Sequence, residues 1–305
     1  MTNHAARTVL TALVLALLVP VPSSAQDVVG RADSTFTLQE AVRAGQWVRI
    51  ASPNGTVRVT EGGARVEVQA TKDTRRGNVE DVGFVVRRTN DGLVVCAVYE
   101  SADECLPDGT LERNRRSRRA WNDPRVRVDF TVRVPSGLRL RAGSGNGDVS
   151  VTGGTEVVAR SGNGQVDVSS AASQVRASSG NGRVTVQGAK GPVEATTGNG
   201  DVRVSTALGP VTASSGNGDI DVDIEAISGA PDMAFSTGNG RITVAVPASF
   251  GAQLETHTGH GEVSIDFPLT TQGTIRRSSL RGTIGAGGGQ LVMRSGNGDL
   301  VVRRR

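Results

Sequence analysis

The sequence is poor in aromatic residues and lacks the common catalytic motifs. Aromatic residues make up only 3% of the 305 residues, whereas there are 40 glycines. So few large side chains predict a narrow interior filled by Val, Ile, Leu and Ala. No GxSxG, HExxH or P-loop motif occurs, and the repeated part of the chain has tight turns and no long loops before residue 226. The sequence therefore argues against an enzyme and predicts no cofactor.

The sequence has no long apolar run beyond its first 25 residues, which predict a secretory signal peptide. Arg7 precedes an apolar stretch at residues 8–22, and Ser23, Ser24 and Ala25 supply the small residues expected before cleavage after Ala25. The stretch is shorter than the ~20 residues of a membrane-spanning helix. We therefore expect an exported chain with no transmembrane segment in its mature form, located in the periplasm, at the cell surface or outside the cell.

A Gly-Asn-Gly repeat is the dominant feature of the sequence. Successive copies are separated by 17, 18, 18, 18 and 22 residues, and aliphatic residues recur six before and three and five after each central residue. Ser or Thr stands two before it in each of these copies. The central positions are Asn54, Asn146, Asn163, Asn181, Asn199, Asn217, Asn239, His260 and Asn297, and Arg281 holds the same place in a degenerate copy, SLRGTI.

This pattern predicts an all-β, single-stranded β-solenoid (β-helix) of about 18-residue coils, with a less regular, insert-bearing N-terminal half. Apolar residues at every second position mark half-buried strands. They lie at even offsets from the central residue before it and at odd offsets after it, as a bend between two strands requires. Stacked coils would bury what one coil cannot and would place Asn above Asn in an amide ladder. The alternative is a β-sandwich with Gly-rich hairpins, but a sandwich does not need the same residues at the same offsets.

The chain divides into three predicted parts. Residues 1–25 form the signal peptide, residues 26–140 the N-terminal cap and irregular coils, and residues 141–305 the regular solenoid, with 26–305 forming one continuous domain. Within the second part, we expect Thr37–Ala44 to form a short helix and residues 100–124 a surface excursion. A second excursion is predicted at residues 268–281.

The excursion carries two features of its own. Cys96 and Cys105 are the only cysteines, and in an oxidising compartment a disulfide between them is expected; two unpaired buried thiols are the alternative. Arg113, Arg115, Arg116, Arg118 and Arg119 form a basic run that could bind an anionic polymer. A solvated basic loop is the interpretation that the sequence favours over polymer binding, since only Trp121 lies nearby to stack on nucleic acid.

Two further constellations favour structural interpretations. Asp148, Asp201, Asp219 and Asp299 follow the second glycine of the repeat, but Arg, Gln and Glu share that column, which favours ion pairs between coils over a Ca²⁺ site. His257, His260 and Glu262 lie close in sequence, yet the two histidines differ in parity, so their side chains should diverge. We therefore predict no metal site.

The repeated [S/T]GNG-x-V-x-V units and the segments at 125–151 and 242–268 resemble the DUF4097 family of adhesin-type domains, over roughly residues 45–305. The resemblance implies a β-solenoid in an exported or cell-surface protein with an adhesive or envelope role, and it brings no catalytic residues. The leading hypothesis is a non-enzymatic, adhesin-like protein that binds a cell-surface, glycan or protein partner without specific recognition of nucleic acid. A structural or signalling scaffold of the envelope and a polysaccharide-active enzyme are the alternatives.

Overall fold

The computed structural model describes residues 27–74, 77–99, 103–112, 126–227, 229–271 and 276–305. The signal peptide and the Arg113–Arg119 run predicted above lie outside these residues. Strands dominate the described part, where the only helical element is a single 3-10 turn at Val79–Asp81. No helix there is long and apolar enough to cross a membrane.

The strands in chain order are β1 (Val28–Val29), β2 (Thr35–Glu40), β3 (Trp47–Asn54), β4 (Val57–Glu61), β5 (Val66–Thr74), β6 (Gly83–Thr89), β7 (Gly92–Val98), β8 (Glu104–Cys105), β9 (Leu111–Glu112), β10 (Val126–Val134), β11 (Arg139–Asn146), β12 (Val149–Thr152), β13 (Val157–Asn163) and β14 (Val166–Ser169). They continue with β15 (Val175–Asn181), β16 (Val184–Ala189), β17 (Val193–Asn199), β18 (Val202–Gly209), β19 (Val211–Asn217), β20 (Ile220–Ile227), β21 (Met233–Asn239), β22 (Ile242–Val246), β23 (Ala252–His260), β24 (Val263–Ile265), β25 (Leu269–Thr270), β26 (Ser279–Ile284), β27 (Gln290–Asn297) and β28 (Leu300–Arg304).

Each regular coil contributes one strand to each of two sheets, as the change of parity predicts. In the coil of β15 and β16, Val175, Ala177 and Ser179 point inward before the bend, and Val184 and Val186 point inward after it. The interior between the two sheets is one continuous aliphatic cluster that reaches from Val48 to Val302. Because neighbouring strands lie about 4.8 Å apart, the small side chains of one coil fill the space above those of the next.

The two sheets form the body of the solenoid. Sheet A has 14 strands in the order β1-β6-β7-β3-β11-β13-β15-β17-β19-β21-β27-β23-β26-β25, and sheet B has 12 in the order β2-β5-β10-β4-β12-β14-β16-β18-β20-β22-β28-β24. From β7 to β23 in sheet A and from β10 to β24 in sheet B the pairing is parallel, and it is in register except for one shift between Gln187 and Ala189 of β16. These strands make ten stacked coils, which confirms the predicted solenoid.

The coils do not stack in chain order at either end. The first coil (β3 and β4) lies between the outer N-terminal coil (β7 and β10) and the coil of β11 and β12. The last coil (β27 and β28) lies between the coil of β21 and β22 and the outer C-terminal coil (β23 and β24). Each end of the chain therefore contributes a coil that sits one place inside the stack.

Antiparallel strands cover both ends, and here two predictions are wrong. Thr35–Glu40 is a strand instead of part of a helix, because Phe36 and Leu38 alternate with exposed residues and pack on the core. The SLRGTI segment is β26, which runs antiparallel to β23 and pairs Arg281 with Glu255, so Arg281 is not in the Asn column. The tenth coil is instead the one formed by β7 and β10.

The N-terminal cap is held by a buried lysine. The ammonium of Lys72 lies within hydrogen-bonding distance of the carbonyl oxygens of Gly30 (2.6 Å), Arg31 (3.0 Å), Val79 (3.1 Å) and Val82 (2.7 Å), which share its three N–H donors. Burial lowers the pKa of Lys72 from its ordinary value. The four carbonyls replace the water that the ammonium loses, so one side chain ties together three separate segments of the cap.

Candidate functional site

The turn edge of the solenoid carries a continuous ladder of asparagine side chains. From Asn163 onward, each Nδ2 donates to the Oδ1 of the asparagine in the coil stacked beneath it, at 2.6–2.8 Å, which gives six bonds. The seven members are Asn146, Asn163, Asn181, Asn199, Asn217, Asn239 and Asn297. All seven are exposed, and each of the five that both donate and accept keeps one hydrogen and one lone pair for solvent or a partner.

The other two predicted members of the column differ from these seven. Asn54 is in register with Asn146, but its Nδ2 donates to the carbonyl oxygen of Val126, the first residue of β10, at 3.2 Å. His260 is in register with Asn297, and its backbone carbonyl accepts from the N–H of Gly298 at 2.7 Å. No three His, Cys, Asp or Glu side chains gather into a metal-binding group in the described ranges.

A second ladder runs inside the first, formed by the Ser and Thr residues two before each asparagine. Their hydroxyls donate to the carbonyl of the second glycine in the neighbouring coil, at 2.7–3.0 Å; the donors are Ser144, Ser161, Ser179, Thr197, Ser215, Thr237, Thr258 and Ser295. These residues are buried. The sequence predicted the column of Ser and Thr residues but not the atom that accepts their hydrogen bonds. The glycine carbonyl of one coil comes within reach of the hydroxyl of another only when the coils stack.

The residues that directly follow the second glycine of each repeat also link neighbouring coils. Oδ1 of Asp148 accepts the backbone N–H of Gln165 at 2.8 Å, and Oδ1 of Asp219 accepts that of Arg241 at 2.8 Å. Asp299 accepts the N–H of Glu262 and faces the guanidinium of Arg241; these contacts lower the pKa of its carboxyl group. The mixed charges of this column therefore hold neighbouring coils together.

The outer face of sheet A is crossed by linked charges. Arg139 stacks on the ring of Trp47, with its guanidinium 4.4 Å from the ring centroid, and donates to Glu156 at 2.9 Å. Glu156 also pairs with Arg176, which reaches Glu194 in the next coil. Four charges in successive coils are thus fixed relative to one another.

A disulfide-linked hairpin covers one part of that face. Cys96 in β7 is bonded to Cys105 in β8, and both are fully buried with Val94, Val98 and other residues in a small second core outside the solenoid. Asp108, in the turn between β8 and β9, pairs with Arg141 at 3.2 Å. The predicted excursion therefore begins as a hairpin pinned onto sheet A.

An ion pair with two hydrogen bonds lies beside the hairpin. Arg49, whose side chain is only 8% exposed, donates to Asp91 at 2.6 Å and 3.2 Å. The hydrogen bonds from Arg49 and from the hydroxyl of Thr89 lower the pKa of Asp91 to about 2. The pair fixes the turn between β6 and β7 against β3.

The outer face of sheet B has a shallow polar depression. The hydroxyl side chains of Thr185 and Thr243 leave space between the longer side chains of Arg203, Asp221 and Arg303. Arg203 bridges Asp201 and Asp221 at 3.7 and 3.8 Å. Arg303 is exposed and forms no ion pair with any described residue.

The chain was compared with curated proteins and with solved structures. No curated protein matches the chain. Solved structures that resemble it are candidate adhesins from Bacteroides fragilis (12% identity, TM-score 0.39, covering 88% of this chain and 96% of that one) and Parabacteroides merdae (10%, 0.40, 89% and 96%). A candidate cell adhesion protein from Clostridium sporogenes aligns at 10% identity with a TM-score of 0.23, over 89% of this chain and 100% of that one.

The family model described as Toastrack DUF4097 matches residues 48–303, which is nearly the whole stack of coils. The chain belongs to the Toastrack DUF4097 family.

Proposed function

We propose that this protein is an exported, non-enzymatic binding protein of adhesin type, which presents the flat outer faces of its solenoid to an envelope or extracellular partner. One observation carries the proposal: the in-register stack holds polar and charged side chains at fixed spacing across two broad faces. Side-chain hydrogen bonds along the turn edge hold the coils, and with them the two faces, in register. A stiff, pre-formed surface loses little conformational entropy when it binds.

The depression on sheet B is the contact surface that we favour for the partner. Its arginines, carboxylates and hydroxyl groups can all hydrogen-bond to a polar polymer, and Arg303 forms no ion pair with a described residue. The candidate adhesins of similar structure are consistent with a binding role. The hydroxyls of Thr89 and Thr110 donate to Asp91 and Asp108 at 2.7 Å, but both carboxylates also pair with an arginine and their pKa values are lowered, which makes them weak bases. We therefore propose binding and not catalysis.

A binding screen with the purified chain tests this function. The probes are whole bacterial and host cells, an immobilised glycan panel and matrix polymers. We expect Arg303→Ala to weaken binding to the probe that is captured. Arg160→Ala is the matched control, because Arg160 is likewise exposed and forms no ion pair with a described residue, but lies on sheet A. Binding to none of the probes would contradict the proposal.

A further inference from the structure

We propose that the interlocked ends of the stack make this chain a load-bearing link, which keeps its fold when tension is applied between its two ends. The inference goes beyond binding, since it concerns the transmission of force and holds whichever partner is bound. It rests on the order of the coils, in which the first and last coils each lie one place inside the stack.

At the C-terminal end, the last coil is bonded on both sides. β27 pairs in parallel with β21 on one side and β23 on the other, and β28 pairs with β22 and β24. Side chains add to both contacts. Asn297 donates to Asn239 at 2.6 Å, and the hydroxyl of Thr258 donates to the carbonyl of Gly298 at 2.8 Å. The coil cannot leave until two sets of bonds break in each sheet.

The last residue is also anchored. Arg305 pairs with Asp223 at 3.3 Å and Glu225 at 3.1 Å, and its backbone N–H donates to the carbonyl of Val246 at 3.0 Å. Tension that enters at Arg305 therefore passes into β20 and β22, which lie inside the stack, as well as into β24 of the outer C-terminal coil.

The N-terminal end repeats the arrangement. β3 lies between β7 and β11, and β4 lies between β10 and β12. The strands that come before it, β1 and β2, lie at the outer edges of their sheets. Tension from this side opens β1 and β2 first and then meets a coil that is paired on both sides.

The contrast with a solenoid wound in chain order gives the physical reason. There, the coil next to each end of the chain is outermost, so tension along the stack peels off one hydrogen bond at a time from a single neighbour. Here the two neighbours of the loaded coil share the load, and the outer coil blocks its path. Cooperative loss of several bonds requires more force than their sequential loss.

Single-molecule force spectroscopy on the whole chain tests the proposal. In the first geometry, handles follow Arg305 and precede the first residue. In the second, the C-terminal handle is moved to Thr270→Cys, in β25, which pairs with β26 alone. The new thiol is unique because the two natural cysteines are bonded to each other.

The length of chain released assigns each unfolding event to one end of the stack. We expect the first C-terminal event to need more force when the handle follows Arg305 than when it is at Thr270→Cys, because two hydrogen-bonded neighbours resist instead of one. Equal thermal unfolding of the two proteins shows that the new cysteine has not altered the fold. An equal or lower force at Arg305 would overturn the proposal, whatever the binding screen finds.

Discussion

Asn297 donates its side-chain amide to Oδ1 of Asn239 at 2.6 Å, although 58 residues separate the two in the chain. Every other step of the ladder joins residues 17 to 22 apart. The long step exists because the outer C-terminal coil comes before the last coil in the sequence but lies outside it in the stack. This one hydrogen bond therefore shows that the coils are not stacked in chain order.

The ladder should stabilise the stack in proportion to the bonds that each asparagine makes. Asn199 both donates to Asn181 and accepts from Asn217, whereas Asn146 only accepts, from Asn163. At about 0.5–1.5 kcal/mol for each exposed bond, we expect Asn199→Ala to reduce the free energy of unfolding about twice as much as Asn146→Ala. Urea denaturation measures both, and equal effects of the two variants would show that the ladder bonds do not contribute.

The glycine before each asparagine should be required for the stacking distance. A Cβ at Gly162 would lie 2.4 Å from the carbonyl oxygen of Gly145 in the coil below, whereas a Cβ at Gly143 would meet nothing closer than 4.0 Å. We expect Gly162→Ala to destabilise the protein by about 1–3 kcal/mol, the usual cost of overpacking. Gly143→Ala should be neutral or stabilising. Thermal unfolding compares the two, and tolerance of Ala at both positions would contradict the close approach.

The buried hydroxyl ladder should contribute more per residue than the exposed one. Thr197 is 2% exposed and donates to the carbonyl of Gly182 at 2.8 Å, while its neighbour Thr196 faces outward. Thr197→Val keeps the shape but leaves the half-buried carbonyl of Gly182 without that donor, at a cost of about 1–3 kcal/mol. Thr196→Val retains a β-branched side chain in the same strand and serves as the control. A similar loss in both variants would mean that the hydroxyl ladder has no special role.

The sequence predicted the coil, but not the order of the coils. Identical residues at identical offsets, such as Val166 and Val184, specify which side chains point inward and which residues of stacked coils lie side by side. The same identity makes coils interchangeable as neighbours, so nothing local shows that the coil of Leu291 stacks on that of Met233. The excursion and the caps obey no repeat, and for Thr35–Glu40 a short alternation of Phe36 and Leu38 was too weak a signal to exclude a helix.

The disulfide should stabilise the hairpin on sheet A and not the solenoid. Cys96 and Cys105 are nine residues apart and lie in a core that is separate from the aliphatic interior. Closing so short a loop contributes roughly 2–3 kcal/mol by the chain-entropy estimate. We expect replacement of both cysteines by serine to accelerate amide exchange at Glu104 and Leu111, with little change at Val184. Exchange that rises equally throughout the stack would show that the hairpin and the solenoid unfold together.

Acid should weaken the contact between Arg49 and Asp91. The pKa of Asp91 is lowered to about 2 in the folded chain, below the ~3.9 of an unfolded aspartate. A lowered pKa contributes stability that is fully present above pH ~4 and is lost as the pH falls towards 2. The carboxylate is 61% exposed, so we expect the pair to contribute less than about 1 kcal/mol after solvent screening.

Asp91→Asn should flatten the decline in unfolding free energy between pH 4 and 2, measured by urea denaturation. Asp167→Asn removes an exposed carboxylate that forms no ion pair with a described residue, and it is the matched control; an identical slope in the wild type and Asp91→Asn would refute the assignment.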